Sequence, residues 1–262
     1  MTGRTLPKER LIETTRASII PIPLARMIAV EVCASTLRDV AVALEAGADR
    51  VELCSVWSVG GITPNVVVVE SAAAMGMPSR ALIRPREGHF QFSVSERTWS
   101  IEEAKVMLDC GAERVVVGAL TESGILDEAY LEAMCEAVGP EHMVWHRAID
   151  ASSNPDKDVD VLLQYGVREL LSSGGAARAL EGITKLSQWA ERGMSVIAGG
   201  GVRPEDVAQL TETGVSAVHA SCRTTSQNSD SPLFDGATHP VDFNKVVELV
   251  ASTRSQIYDD LA

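Results

Sequence analysis

Residues 29–54 read AVEVCASTLRDVAVALEAGADRVELC, and the order of elements in this stretch decides the fold. Glu31-Val32-Cys33 and Glu52-Leu53-Cys54 are the same alternation 21 residues apart, each closing a short apolar run. The segment between them, Ser35 to Asp49, reads as a helix that stops at Gly47-Ala48, so the unit is strand, helix, strand. Side chains two apart share one face of a strand. Glu31 with Cys33, and Glu52 with Cys54, therefore project together at the ends of neighbouring strands, where paired carboxylates and thiols are costly as packing and read as a site.

The same unit recurs outward from this stretch. Apolar runs rich in Val and Ile occupy 27–33, 49–54, 80–84, 113–118, 142–147, 168–172, 194–198 and 215–220. Between them lie amphipathic helical stretches, among them Glu102 to Cys110, Glu128 to Val138 and Pro204 to Thr213, and several stop at a Gly just before the next strand. Strands alternating with helices make parallel βαβ units whose apolar strands are covered by helices. Eight units over about 235 residues predict an α/β chain folded as a single-domain (β/α)8 TIM barrel. A doubly wound open sheet is the rival, but no glycine fingerprint follows the first strand. Residues 1–26 mix charge, Thr and Pro and read as an N-terminal extension outside the fold, leaving 27–262 as the barrel. The stretch from Thr224 to Pro240 reads as a polar loop ahead of the last helix.

A net charge of −13 argues against nucleic acid or an anionic membrane surface as partner, and leaves a metal cation or a small anion held by a local basic pocket. No run approaches the roughly 18–20 apolar residues of a membrane span, and the N-terminus lacks a signal-peptide core. The expected location is cytoplasmic. Five cysteines spread over 262 residues do not describe a disulfide framework.

Barrels of this class carry their functional groups at the carboxyl ends of the strands. Those ends supply Glu31 and Cys33, Glu52 and Cys54, Arg84 and Arg86, Gly118 with Thr121, His146 with Arg147 and Asp150, Ser172-Ser173-Gly174, Gly199-Gly200-Gly201, and His219, Ser221 and Arg223. Glu31, Glu52, Arg84, Arg86, His146, Asp150 and His219 form the candidate catalytic set, with His146 as the natural acid–base group. Arg84 and Arg86 either neutralise Glu31 and Glu52 or clamp a substrate carboxylate or phosphate. Ser173, Gly199, Gly200, Gly201 and Ser221 join the two arginines as candidate anion-binding residues, the glycine turn offering backbone N–H groups ahead of Pro204. A structural layer of buried ion pairs, or a tight turn that merely needs glycine, explains the same residues singly.

Cys33 and Cys54 face inward on adjacent strands about 4.8 Å apart, which suits a shared soft ion such as Cu(I), or equally a disulfide. Cys222 is out of phase with His219 and Ser221, and Cys110 and Cys135 fall in helices. The strand ends carry no lysine, which argues against Schiff-base chemistry.

From about Ala29 to Arg223 the chain resembles the CutC family, labelled copper homeostasis proteins. The resemblance is carried by Glu31-Val32-Cys33, by AGADRVELC ending at Cys54, by Gly60-Gly61-Ile62-Thr63-Pro64 and by Ile83-Arg84-Pro85-Arg86. It continues through His146-Arg147-Ala148-Ile149-Asp150, Ser173-Gly174, Ala179-Leu180-Glu181-Gly182, Gly199-Gly200-Gly201-Val202 and His219-Ala220-Ser221. His89 and Gln91-Phe92 depart from the family pattern. The resemblance implies a TIM barrel, a homo-oligomer and a Cu(I) site at Cys33 and Cys54. Two functions follow as expectations: copper handling through that cysteine pair, or an enzyme of lyase, isomerase or epimerase type acting on a small anionic or phosphorylated metabolite.

Overall fold

The structure, a computed structural model, describes residues 28–227 and 237–259. The extension expected over 1–26 and the centre of the loop before the last helix lie outside the described residues.

Eight parallel strands close into a barrel in sequence order: β1 Ala29–Ala34, β2 Arg50–Leu53, β3 Ser79–Leu82, β4 Arg114–Val117, β5 Met143–Trp145, β6 Glu169–Ser172, β7 Ser195–Gly199 and β8 Ala217–Ala220. Eight helices surround them: α1 Leu37–Glu45, α2 Val66–Ala74, α3 Val94–Asp109, α4 Glu128–Val138, α5 Pro155–Gln164, α6 Ile183–Glu191, α7 Val207–Glu212 and α8 Phe243–Asp259. This is the (β/α)8 barrel that the repeated unit predicts. A short antiparallel pair, β9 Ser226–Gln227 and β10 Ala237–Thr238, precedes α8. Among the described residues no helix is long and apolar enough to cross a membrane.

Alternation along the strands separates two cores. Val30, Val32, Val51, Leu53 and Ile83 point outward and are fully buried against the helices. Cys33, Cys54, Leu82, Val116, Val144, Leu171, Ile197 and Ala217 pack together inside the barrel. The apolar centre of the interior lies between two charged ends. Closure is made by β1 against β8, where Glu31 is in register with His219, while Cys33 is in register with Glu52 across β1 and β2.

Two helices differ from their sequence reading. α3 begins at Val94 rather than near Glu102 because Ser93 and Glu96 form a reciprocal capping box. The stretch from Pro204 to Thr213 splits into a 3-10 turn, Pro204–Asp206, and the six-residue α7.

Candidate active site and metal-binding wall

The interior charges are ordered by strand position. Near the amino ends, Glu31 accepts from Arg50 Nε at 2.6 Å and pairs with Arg80 Nη1 at 3.0 Å. Arg80 also pairs with Glu169, which Arg114 approaches at 3.4 Å. Burial opposes ionisation of Glu31, but the His219 hydrogen bond and the two guanidinium charges overcome it and hold the carboxyl far below the usual range. Glu31 is thus a hub of the barrel floor. The partners expected for it, Arg84 and Arg86, are elsewhere. Arg50 and Arg80 replace them, and the alternation counted backwards from Glu52 and from Leu82 already places both inside.

His219 connects this floor to the site above. Its Nδ1 lies 2.9 Å from Glu31 Oε1, and its Nε2 is 3.8 Å from Glu52 Oε2. Burial alone depresses its pKa, yet the facing carboxylates of Glu52 and Glu31 raise it above the ordinary histidine value. Glu52 shifts upward, chiefly through burial, and its Oε1 is buried without a hydrogen-bond partner among the described residues. Ligand atoms of Cys33, Glu52 and His219 lie within 4.8 Å of one another.

Cys33 Sγ and Cys54 Sγ are 3.4 Å apart and both are free thiols, so the disulfide alternative is not the state seen. The shared hydrogen bond raises the Cys33 pKa, with burial adding to it, and lowers that of Cys54. Ser35 Oγ sits 3.6 Å from Cys54 Sγ. Arg223 joins the end of β1 to the loop after β8: it donates to the Cys33 carbonyl at 3.0 Å and to Ser35 Oγ at 2.9 Å, pairs with Asp39, and stacks on Trp57. Val56 and Cys222, which precede Trp57 and Arg223, hold left-handed φ angles of 48° and 46°. Such strain in non-glycine residues persists where surrounding structure fixes it.

Above the thiols, at the carboxyl ends of the strands, a cavity of about 650 Å³ opens. Of the strand-end residues singled out in the sequence, Cys33, Glu52, Arg84, His146, Arg147, Gly200, Gly201, His219, Ser221 and Arg223 line it. Glu31 and Cys54 lie behind the lining, and Gly199 packs where a Cβ would meet Leu171 at 2.5 Å. Arg86 turns away after Pro85: it pairs with Glu96 at 2.7 Å and donates to the carbonyls of Glu87, His89 and Gln91, stapling its own loop. Asp150 and Ser173 are likewise spent on structure. The Asp150 carboxylate accepts from Arg147 Nε, the Ser172 and Ser173 hydroxyls, and the N–H groups of Ser173 and Gly175.

The glycine turn after β7 has a protein explanation as well. A Cβ at Gly200 would sit 3.1 Å from Ser173 Cβ and 3.3 Å from Arg147 Cζ. The Arg203 N–H is taken by Asp206, which also pairs with Arg178. Sequence reading passed over Trp57, Phe90, Arg203 and Lys245, which line the cavity from loops and from α8. Arg84, Arg147, Arg203, Arg223 and Lys245 face Glu52, Glu205 and Glu248 in this lining, so a strongly acidic chain presents a locally basic mouth.

Fold and site together define a (β/α)8 barrel with a basic cavity at its carboxyl end and two free thiols, Cys33 in the cavity wall and Cys54 behind it. The chain belongs to the CutC family, whose model matches residues 28–224. It is 34% identical over 197 residues to the family protein CutC of Pasteurella multocida, covering 73% of this chain and 81% of that one. It is also 34% identical over 209 residues to family protein CutC of Agrobacterium fabrum, covering 78% of this chain and 81% of that one. Among solved structures it resembles a CutC from Streptococcus agalactiae, described as a candidate copper homeostasis protein, with TM-score 0.69 and 29% identity over 74% of this chain and 99% of that chain. A 3-keto-L-gulonate-6-phosphate decarboxylase from Vibrio cholerae shares the fold at 12% identity, with TM-score 0.58 over 89% of this chain and 98% of that chain.

Proposed function

We propose that this protein handles copper, holding Cu(I) between the sulfurs of Cys33 and Cys54. The observation that carries the reading is the 3.4 Å approach of two inward-facing free thiols beside an open cavity. Soft sulfur donors suit Cu(I), and the proton the two thiols share is the one a metal would replace. The copper homeostasis description of the Streptococcus agalactiae relative supports the same reading. Glu52 and His219 stand beside the thiols as further donors. The Glu31 carboxylate behind His219 Nδ1 has the geometry of an outer partner that directs the other ring nitrogen to the metal side.

Anaerobic competition against a chromogenic Cu(I) chelator tests this. One Cu(I) per chain is expected, with affinity at least about tenfold weaker, roughly 1.4 kcal/mol, after Cys33→Ser with Cys54→Ser. Unchanged affinity in that double variant would end the reading.

A second reading is favoured by the buried Glu52 carboxyl, whose pKa burial raises and which faces the cavity: an acid–base enzyme acting on a small anionic metabolite. Turnover of a metabolite that disappears in Glu52→Gln, with the chain still folded, is the expected result. Metabolite screening that yields no turnover counts against it.

A further inference from the structure

Among the buried cations of the interior, Arg84 is the one without a carboxylate partner among the described residues. Arg80 is matched by Glu31 and Glu169, and Arg223 by Asp39. Arg84 is only 7% exposed. It donates from Nη1 to the carbonyls of Val59 and Gly61 at 3.1 and 2.9 Å, and from Nη2 to that of Gly88 at 2.7 Å. Carbonyls satisfy its hydrogens and leave its charge, while its Nε–H has no acceptor among the described residues. A buried guanidinium left in that state is expensive.

A second donor stands beside it. His146 is 4% exposed, and its Nδ1 accepts the Ala148 N–H at 3.1 Å. With Nδ1 accepting, the ring proton belongs on Nε2, and that atom is buried without a partner among the described residues. Phe90 braces both groups, with its ring centroid 5.1 Å from Arg84 Cζ and 5.0 Å from the His146 ring centroid. Gly118 makes room for the arrangement: a Cβ there would lie 2.5 Å from the imidazole. Both Arg84 and His146 line the cavity.

We propose that Arg84 and His146 form an anion subsite of this cavity, and that its ligand is a small carboxylate with one oxygen accepting from His146 Nε2–H and its charge set against Arg84. Burial, with Arg84 adding to it, lowers the His146 pKa to about 3, which favours the neutral ring as a donor at Nε2. One buried guanidinium without a carboxylate partner, and two buried donors without a partner among the described residues, match a monoanion. A phosphate group brings about −1.5 to −2 charges and three acceptor oxygens, more than one guanidinium and one imidazole N–H satisfy, and part of the neighbouring donor set is already engaged. Ser173 and Gly175 are bound to Asp150, and the Arg203 N–H to Asp206. Leu82 and Leu171 give the carbon part of a small organic acid apolar surface to lie on. The subsite goes beyond the copper reading and supplies a substrate class for the second one; carboxylate binding without turnover would leave the subsite standing and sink the enzyme.

The test uses the full chain, with acetate, pyruvate and inorganic phosphate as probes, and reads the His146 ring Nε2–H by nitrogen-edited NMR alongside calorimetry. A saturable shift of that proton with a carboxylate, and weaker binding of phosphate, are expected. His146→Phe should weaken carboxylate binding about tenfold, while the Cys33→Ser, Cys54→Ser double variant should retain it, which separates this proposal from the copper reading. Absence of a saturable shift with either carboxylate in the wild type, tighter binding of phosphate, or unchanged affinity in His146→Phe would overturn the proposal.

Discussion

Glu31 shows how position along a strand assigns a residue its task. At 1% exposure it has Arg50, Arg80 and His219 around it, and no face of the cavity reaches it. Its carboxylate balances the partly buried Arg50 and the buried Arg80, so removing its charge leaves them under-compensated. Glu31→Gln should cost about 3–5 kcal/mol in chemical denaturation, the range for breaking a buried pair from one side. Glu52, two residues from Cys54 in a matching motif, occupies a different setting. Among the described residues it has no guanidinium within ion-pair distance, carries an unpartnered oxygen, and has His219 as its one ionic neighbour. The identical Glu-x-Cys spelling was legible; the division of labour between the two glutamates was not, because register across β8, β1 and β2 sets which neighbours each one has.

At the scale of elements, the 3-10 turn Arg147–Ala151 after β5 ties one strand end to the next. His146 caps it through Ala148 N–H, and Asp150 within it collects donors from the loop following β6. His146, which lines the cavity, and Asp150, which binds the neighbouring loop, are therefore separated by one turn of chain. Asp150→Ala should release the 172–176 loop, seen as faster backbone amide exchange there. Its stability cost should be about 2–3 kcal/mol, the expected penalty for leaving buried donors unpaired. Arg86 illustrates the opposite limit of sequence reading. Parity pairs it with Arg84, but β3 ends at Leu82, and past Pro85 the chain no longer alternates, so side-chain direction cannot be counted.

For the whole molecule, two histidines, one after β5 and one on β8, bias stability in opposite directions with pH. His146 has its folded pKa depressed from 6.5 to about 3, so its contribution is present above pH 6.5 and is lost as pH falls. The loss is about 1.4 kcal/mol per pH unit. His219 has its pKa raised above 6.5 by Glu52 and Glu31, so its contribution is full below 6.5 and is lost as pH rises through the folded value. Glu31 adds a second acid limb below its unfolded value of 4.5. Denaturant titration across pH should show a maximum near pH 6.5, with an acid limb flattened in His146→Phe; a stability curve rising monotonically from pH 5 to 8 would contradict this balance. The sequence by itself determined the barrel, because period-two strands, amphipathic helices and glycine stops are local signals repeated eight times. It also determined the inward pairing of Cys33 and Cys54, since parity on adjacent strands is a local property. Only the tertiary structure decided that Arg50 and Arg80 belong to Glu31, that Arg86 and Asp150 are spent on loops, and that Arg84 and His146 are left with open donors. Partner choice among buried charges is set by which strand ends and loops meet across the closed barrel, and that is a distance no sequence spacing carries.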